Sequence, residues 1–134
     1  MPVLQLIMRP TLDEWLLNFS LDVVLHDHIA YVIAELPDLV RDDIVNDPSF
    51  TIYDYEPGPG VVRHIPVGMP RNGAPARSVE LKRTLRHRPP AFVRYVIAHE
   101  LAHAHLRNAG RFPGEDPEHA ADALAAAWGF PKPK

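Results

Sequence analysis

Residues 96–103 read Val-Ile-Ala-His-Glu-Leu-Ala-His, which sets His99 and His103 four positions apart with Glu100 between them. Four residues advance an α-helix by about 400°, so the two imidazoles leave a helix on nearly the same side and can converge on one ion. Glu100 lies beside that edge, offset enough to miss the ion yet close enough to reach a water bound to it. Zinc lowers the pKa of such a water towards ~7, and a neighbouring carboxylate can take its proton and pass it to a leaving amine. The motif sits among apolar residues, with Phe92, Val93, Val96, Ile97 and Leu101 available for a core. Polar groups left unpartnered in such a stretch would cost about 1 to 3 kcal/mol each, which favours a function for them over decoration.

His-Glu-x-x-His is the pattern of zinc-dependent hydrolases, and a catalytic zinc needs a third protein ligand and an open fourth position. A third histidine in the metzincin arrangement is absent, because Leu106 and Ala109 stand where its glycine and histidine belong. His105 is only two residues past His103 and is expected on another face of the helix. The chain has no cysteine, so the remaining donors are carboxylates farther on: Glu115, Asp116, Glu118 and Asp122.

His99-Glu-x-x-His103 followed by Glu118-His-Ala-Ala-Asp122 resembles the gluzincin metallopeptidases. More narrowly it resembles their minimal members, which include the ImmA/IrrE-like regulatory peptidases and small zincin-like bacterial proteins. The resemblance covers chiefly residues 78–130. It implies zinc held by His99, His103 and Glu118, with Glu100 as the catalytic base and acid, and Asp122 hydrogen-bonded to a zinc-bound histidine that it orients. Glu115 is the alternative third ligand. The resemblance also implies an extended peptide or protein substrate paired with the strand before the active helix, here residues 77–82. Tyr53, Tyr55, His64, Tyr95 and His119 are candidates for a further donor to the substrate's carbonyl oxygen.

These side chains need two adjoining helices and a scaffold. Pro89-Pro90 opens the longest helical pattern, residues 91–107, ended by Asn108-Ala-Gly110, and Pro117 opens a last helix over residues 118–128. Glu118 and Asp122 then share one face, and the 14 residues between His103 and Glu118 let the chain reverse. The alanines at 120, 121, 123, 125 and 126 would allow close helix approach. Upstream, Thr11 caps a short helix bearing Asp13 and Glu14, with Leu12, Trp15, Leu16 and Phe19 on one face. Ser20 or Asp22 caps a second, whose apolar positions run from Val24 to Leu36 until Pro37. A short helix over residues 38–44 follows. Residues 50–55 and 61–67, separated by the turn cluster Glu56-Pro-Gly-Pro-Gly60, predict a hairpin, and residues 78–81 a third strand. The expected fold is therefore α+β and zincin-like: a small, mainly antiparallel sheet packed on the His-Glu-x-x-His helix, followed by a ligand-bearing helix.

At 134 residues with 46% hydrophobic content, the chain is expected to form one domain over residues 1–134. The absence of cysteine excludes disulfide scaffolds and thiolate metal sites. No apolar run reaches the roughly 20 residues of a membrane helix, and Met1 to Thr11 lacks a charged leader and a cleavage site, which predicts a cytoplasmic protein. The net charge of -3 hides a segregation: residues 1–56 carry 11 acidic and 2 basic side chains, residues 57–112 carry 2 and 10. No nucleic-acid motif accompanies Lys82, Arg83, Arg86 and Arg88, so the basic segment is expected to neutralise the acidic N-terminal helices within the fold rather than bind nucleic acid. The function expected is zinc-dependent peptide-bond hydrolysis. The alternative is a zinc-binding regulatory or interaction module without catalysis, linked in one version to nucleic acid.

Overall fold

In the computed structural model, the described residues are 11–56, 77–107 and 117–134. The first helix, α1 (Leu12–Leu16), begins on a reciprocal cap: Thr11 Oγ1 accepts from the Glu14 N–H at 3.1 Å, and the Thr11 N–H donates to Glu14 Oε1 at 2.8 Å. Asp22 rather than Ser20 caps α2 (Val23–Glu35), accepting from the N–H groups of Val24 and Leu25. Leu36 turns extended in front of Pro37, which ends α2 and stands at the N-cap of α3 (Asp38–Val45). Leu25, Ile29, Val32 and Ile33 form the buried stripe of α2, whereas Val24 is exposed. Trp15, Phe19 and Phe50 close one end of the core as an aromatic cluster with ring centroids 5.1 to 6.2 Å apart.

Strands β1 (Thr51–Tyr55) and β2 (Ser78–Lys82) pair in register Thr51 to Ser78 through Tyr55 to Lys82. They run parallel, which corrects the expectation of a mainly antiparallel sheet. Alternation of apolar and polar residues encodes which face of a strand is buried and is silent on the direction of its partner. Residues 56–77 between the strands are numerous enough for the crossover that parallel pairing requires. The segment 61–67, expected as the second arm of a hairpin, lies outside the described residues.

A 3₁₀ turn over Arg83–His87 leads into α4 (Pro90–Leu106), with proline in its first turn. Arg107 takes the left-handed conformation (φ 57°) that caps it; the expected terminator 108–110 lies outside the described residues. Helix α5 (Pro117–Ala127) follows. Central α4 packs against α2, α3, β2 and α5. Its Val93, Ile97, Ala98, Leu101 and Ala102 are fully buried, with Phe92 and Val96 partly so. Ile52 of β1 and Val79 and Leu81 of β2 complete the core, and Ala121, Ala125 and Trp128 cover the opposite flank. Mixed helix and strand is thus the architecture. Among the described residues, no helix is long and apolar enough to cross a membrane.

Candidate metal centre

Helices α4 and α5 bring their i, i+4 pairs face to face. Small residues make this possible: Ala98 and Ala102 of α4 and Ala121 and Ala125 of α5 are all fully buried, so nothing bulky holds the helices apart. His99 Nε2 lies 2.9 Å from Glu118 Oε1 and 3.2 Å from His103 Nε2, which is itself 3.1 Å from Glu118 Oε2. Ligand atoms of His99, His103 and Glu118 all lie within 4.8 Å of one another, and no other such group of metal-binding side chains occurs among the described residues. Both imidazoles are buried, while the Glu118 side chain is 63% exposed, so the cluster reaches the protein surface on the Glu118 side.

Proton positions sharpen this geometry. On its far side, His99 Nδ1 lies 2.8 Å from Asp122 Oδ1, which also accepts the Tyr95 hydroxyl at 2.6 Å. Burial draws the Asp122 carboxyl upward, but hydrogen bonds from Tyr95 and His99 outweigh it and hold the group below its ordinary range. An ionised Asp122 can only accept, so the His99 proton is on Nδ1 and its Nε2 presents a lone pair towards Glu118 and His103. Such a convergence of electron-rich atoms calls for a cation, either a second proton on an imidazole or a metal ion. Zinc fits the donor set: two ligands on a tetrahedral ion at ~2.0 to 2.1 Å stand about 3.3 Å apart, close to the observed spacings.

Glu100 is half-buried beside this cluster. Burial raises its carboxyl above the usual range, His103 and His99 pull it down, and the charges of Glu118 and Glu80 push it up again. The repulsion from Glu80 places this β2 residue in the electrostatic surroundings of the site, a neighbour that spacing alone does not reveal. Tyr95 is pushed up to about 12 by burial and by its bond to Asp122, so it is a neutral hydroxyl donor over the working range of pH.

The expected metal ligands and their flanking carboxylates all fall among the described residues. His99, His103 and Glu118 come together, Asp122 stands behind His99, and Glu100 flanks them. Glu115, the alternative ligand, and His64 lie outside the described residues. His105 points away as expected, bonding Asp43 at 2.8 Å and packing against Trp128. His119 is exposed on α5. Tyr95, one of the candidate donors to a carbonyl, commits its hydroxyl to Asp122 instead. Among the described residues β2 pairs with β1 alone, but Arg77, at the start of the expected substrate edge, is turned inward and 2% exposed.

Arg77 is the polar residue that sequence reasoning missed. It donates to the Ala104 carbonyl at 3.0 Å and pairs with Asp43 and Asp47, tying the C-terminal end of α4 to α3 and to the start of β2. Asp43 also contacts His105 and Arg107. The available signal was the acidic pair Asp43, in the last turn of α3, and Asp47, just past its end, with no basic residue in that turn. Other basic residues are similarly engaged: Arg83 with Asp54 and Glu56, Arg86 with Asp22, and Arg94 with His28 and the face of Tyr31. The opposed charges of the two halves of the chain thus meet within the fold.

No family model, curated protein or solved structure matches the chain.

Proposed function

We propose that this domain is a zinc-dependent metallopeptidase of minimal zincin-like architecture. The observation that carries the reading is the convergence of His99 Nε2, His103 Nε2 and the Glu118 carboxylate on one surface point, with Asp122 setting the His99 proton on the far nitrogen. Among the described residues this is the one group with metal-binding spacing, and it is built from two helices whose small buried residues permit the approach.

His99, His103 and Glu118 would hold the ion. When bound, zinc supplies a Lewis acid that acidifies water and polarises a peptide carbonyl. Glu100 accepts the proton of the attacking water and delivers it to the leaving amine, a role suited to a carboxyl beside the ligands whose affinity for a proton burial raises. Asp122 keeps the Nδ1 proton of His99 in place and so keeps Nε2 directed at the ion. The surface position of the cluster suits an extended peptide more than a small molecule enclosed in a pocket.

Peptide turnover by the zinc-loaded protein tests this. A mixed peptide library should be cleaved, and cleavage should vanish in Glu100→Gln while zinc remains bound. Zinc bound by His99, His103 and Glu118 with no hydrolysis of any peptide would instead support the regulatory module without catalysis.

A further inference from the structure

Behind the ion-facing atoms, one carboxylate oxygen does two jobs. Asp122 Oδ1 faces His99 Nδ1 at 2.8 Å and accepts the Tyr95 hydroxyl at 2.6 Å. The two partners differ in how firmly they are held. Tyr95 is 8% exposed, with its ring against Phe92 and His99 at centroid distances of 6.1 and 5.8 Å. The Asp122 side chain is 38% exposed on the outer part of α5, and its carboxylate could turn into water at little cost were His99 its only partner. Tyr95 precedes His99 by four residues on α4, so the ring that needs orienting and the hydroxyl that secures its acceptor share one helical face.

We propose that Tyr95 is a positioning residue for the metal centre: its hydroxyl locks Asp122 in the orientation in which Oδ1 holds the His99 ring, with Nε2 directed at the ion. The proposal rests on the zinc reading above. It assigns Tyr95 to the support of a ligand, not to the stabilisation of a substrate carbonyl. A second consequence follows from the shared oxygen. The Tyr95 hydroxyl acts through Asp122 alone, so its contribution disappears when Asp122 is absent.

Zinc affinity of the full chain, measured by competition with a chromophoric chelator, tests this with Tyr95→Phe, which removes the hydroxyl and keeps the ring. Loss of a direct hydrogen-bond partner of a ligand costs ~10 to 100-fold in affinity, and a partner one bond farther out should cost about 3 to 10-fold. In the Asp122→Ala background, the same tyrosine substitution should change affinity by less than about twofold, since the acceptor is already gone. A purely structural tyrosine would lower the urea midpoint of the metal-free protein and weaken zinc equally in both backgrounds. Unchanged or tighter zinc binding by Tyr95→Phe overturns the proposal, as do effects that add in the double variant. Zinc binding by the wild type that is lost in His99→Ala, together with an indifferent Tyr95→Phe, refutes only the tyrosine's role; a wild type that binds no zinc refutes the metal reading and the tyrosine's role with it.

Discussion

Arg77→Ala should be the most damaging single polar substitution in the scaffold. Its side chain is 1% exposed and makes ion pairs to Asp43 and Asp47 and a hydrogen bond to the Ala104 carbonyl. Removing one partner of a fully buried pair costs about 3 to 5 kcal/mol. Here the acids are 24% and 18% exposed, and each keeps other partners, His105 and Arg107 for Asp43 and Ser49 for Asp47. Those contacts lower the expected loss to about 2 to 3 kcal/mol, with about 1 kcal/mol more for the orphaned carbonyl. A loss of ~3 to 4 kcal/mol is a large part of a stability of roughly 5 to 15 kcal/mol. Urea unfolding of the metal-free protein, with an unchanged slope, should report it. Arg41→Ala is the control, because Arg41 pairs with Asp38, which is 87% exposed, and should cost at most about 1 kcal/mol. Equal midpoints for the two variants would refute the assignment of Arg77 as the buried clasp of α3, β2 and α4.

Other expectations follow from the same contacts. Asp122→Ala should weaken zinc ~10 to 100-fold while leaving the far-ultraviolet dichroism unchanged, as read by chelator competition and circular dichroism. Leu101→Ala, at a site with no exposure in the middle of α4, should lower unfolding free energy by about 2 to 5 kcal/mol in urea titrations. Asp22, Asp43, Asp47 and Asp122 all titrate below their ordinary range in the folded state. Their contribution is present above the unfolded carboxylate pKa of ~3.9 and is lost as pH falls through the lower folded values, so stability should decline below about pH 4, and less steeply in Arg77→Ala.

Local rules made much of this molecule readable from its residues. Thr11 with Glu14, Asp22, Pro37 and Pro90 mark helix ends because caps and proline act within a turn of where they stand. The spacings of His99 with His103 and of Glu118 with Asp122 predicted which atoms share a face, and α4 and α5 bring those faces together. Non-local choices stayed hidden. Residues 51–55 alternate in the same way whether the partner is antiparallel or, as here, parallel and 27 positions away. Arg77 looks like any surface arginine until α3 supplies Asp43 and the residues just after it supply Asp47. Tyr95 offers a hydroxyl at the right helical spacing, but only the packing of α5 decides that Asp122, and not a substrate carbonyl, receives it.

Zinc K-edge X-ray absorption of the loaded protein tests the central claim most directly. The account predicts one zinc per chain, with two imidazole nitrogens and carboxylate oxygen at ~2.0 to 2.1 Å, and the loss of one imidazole contribution in His103→Ala. A zinc without imidazole ligands, or a spectrum that His103→Ala leaves unchanged, would contradict it.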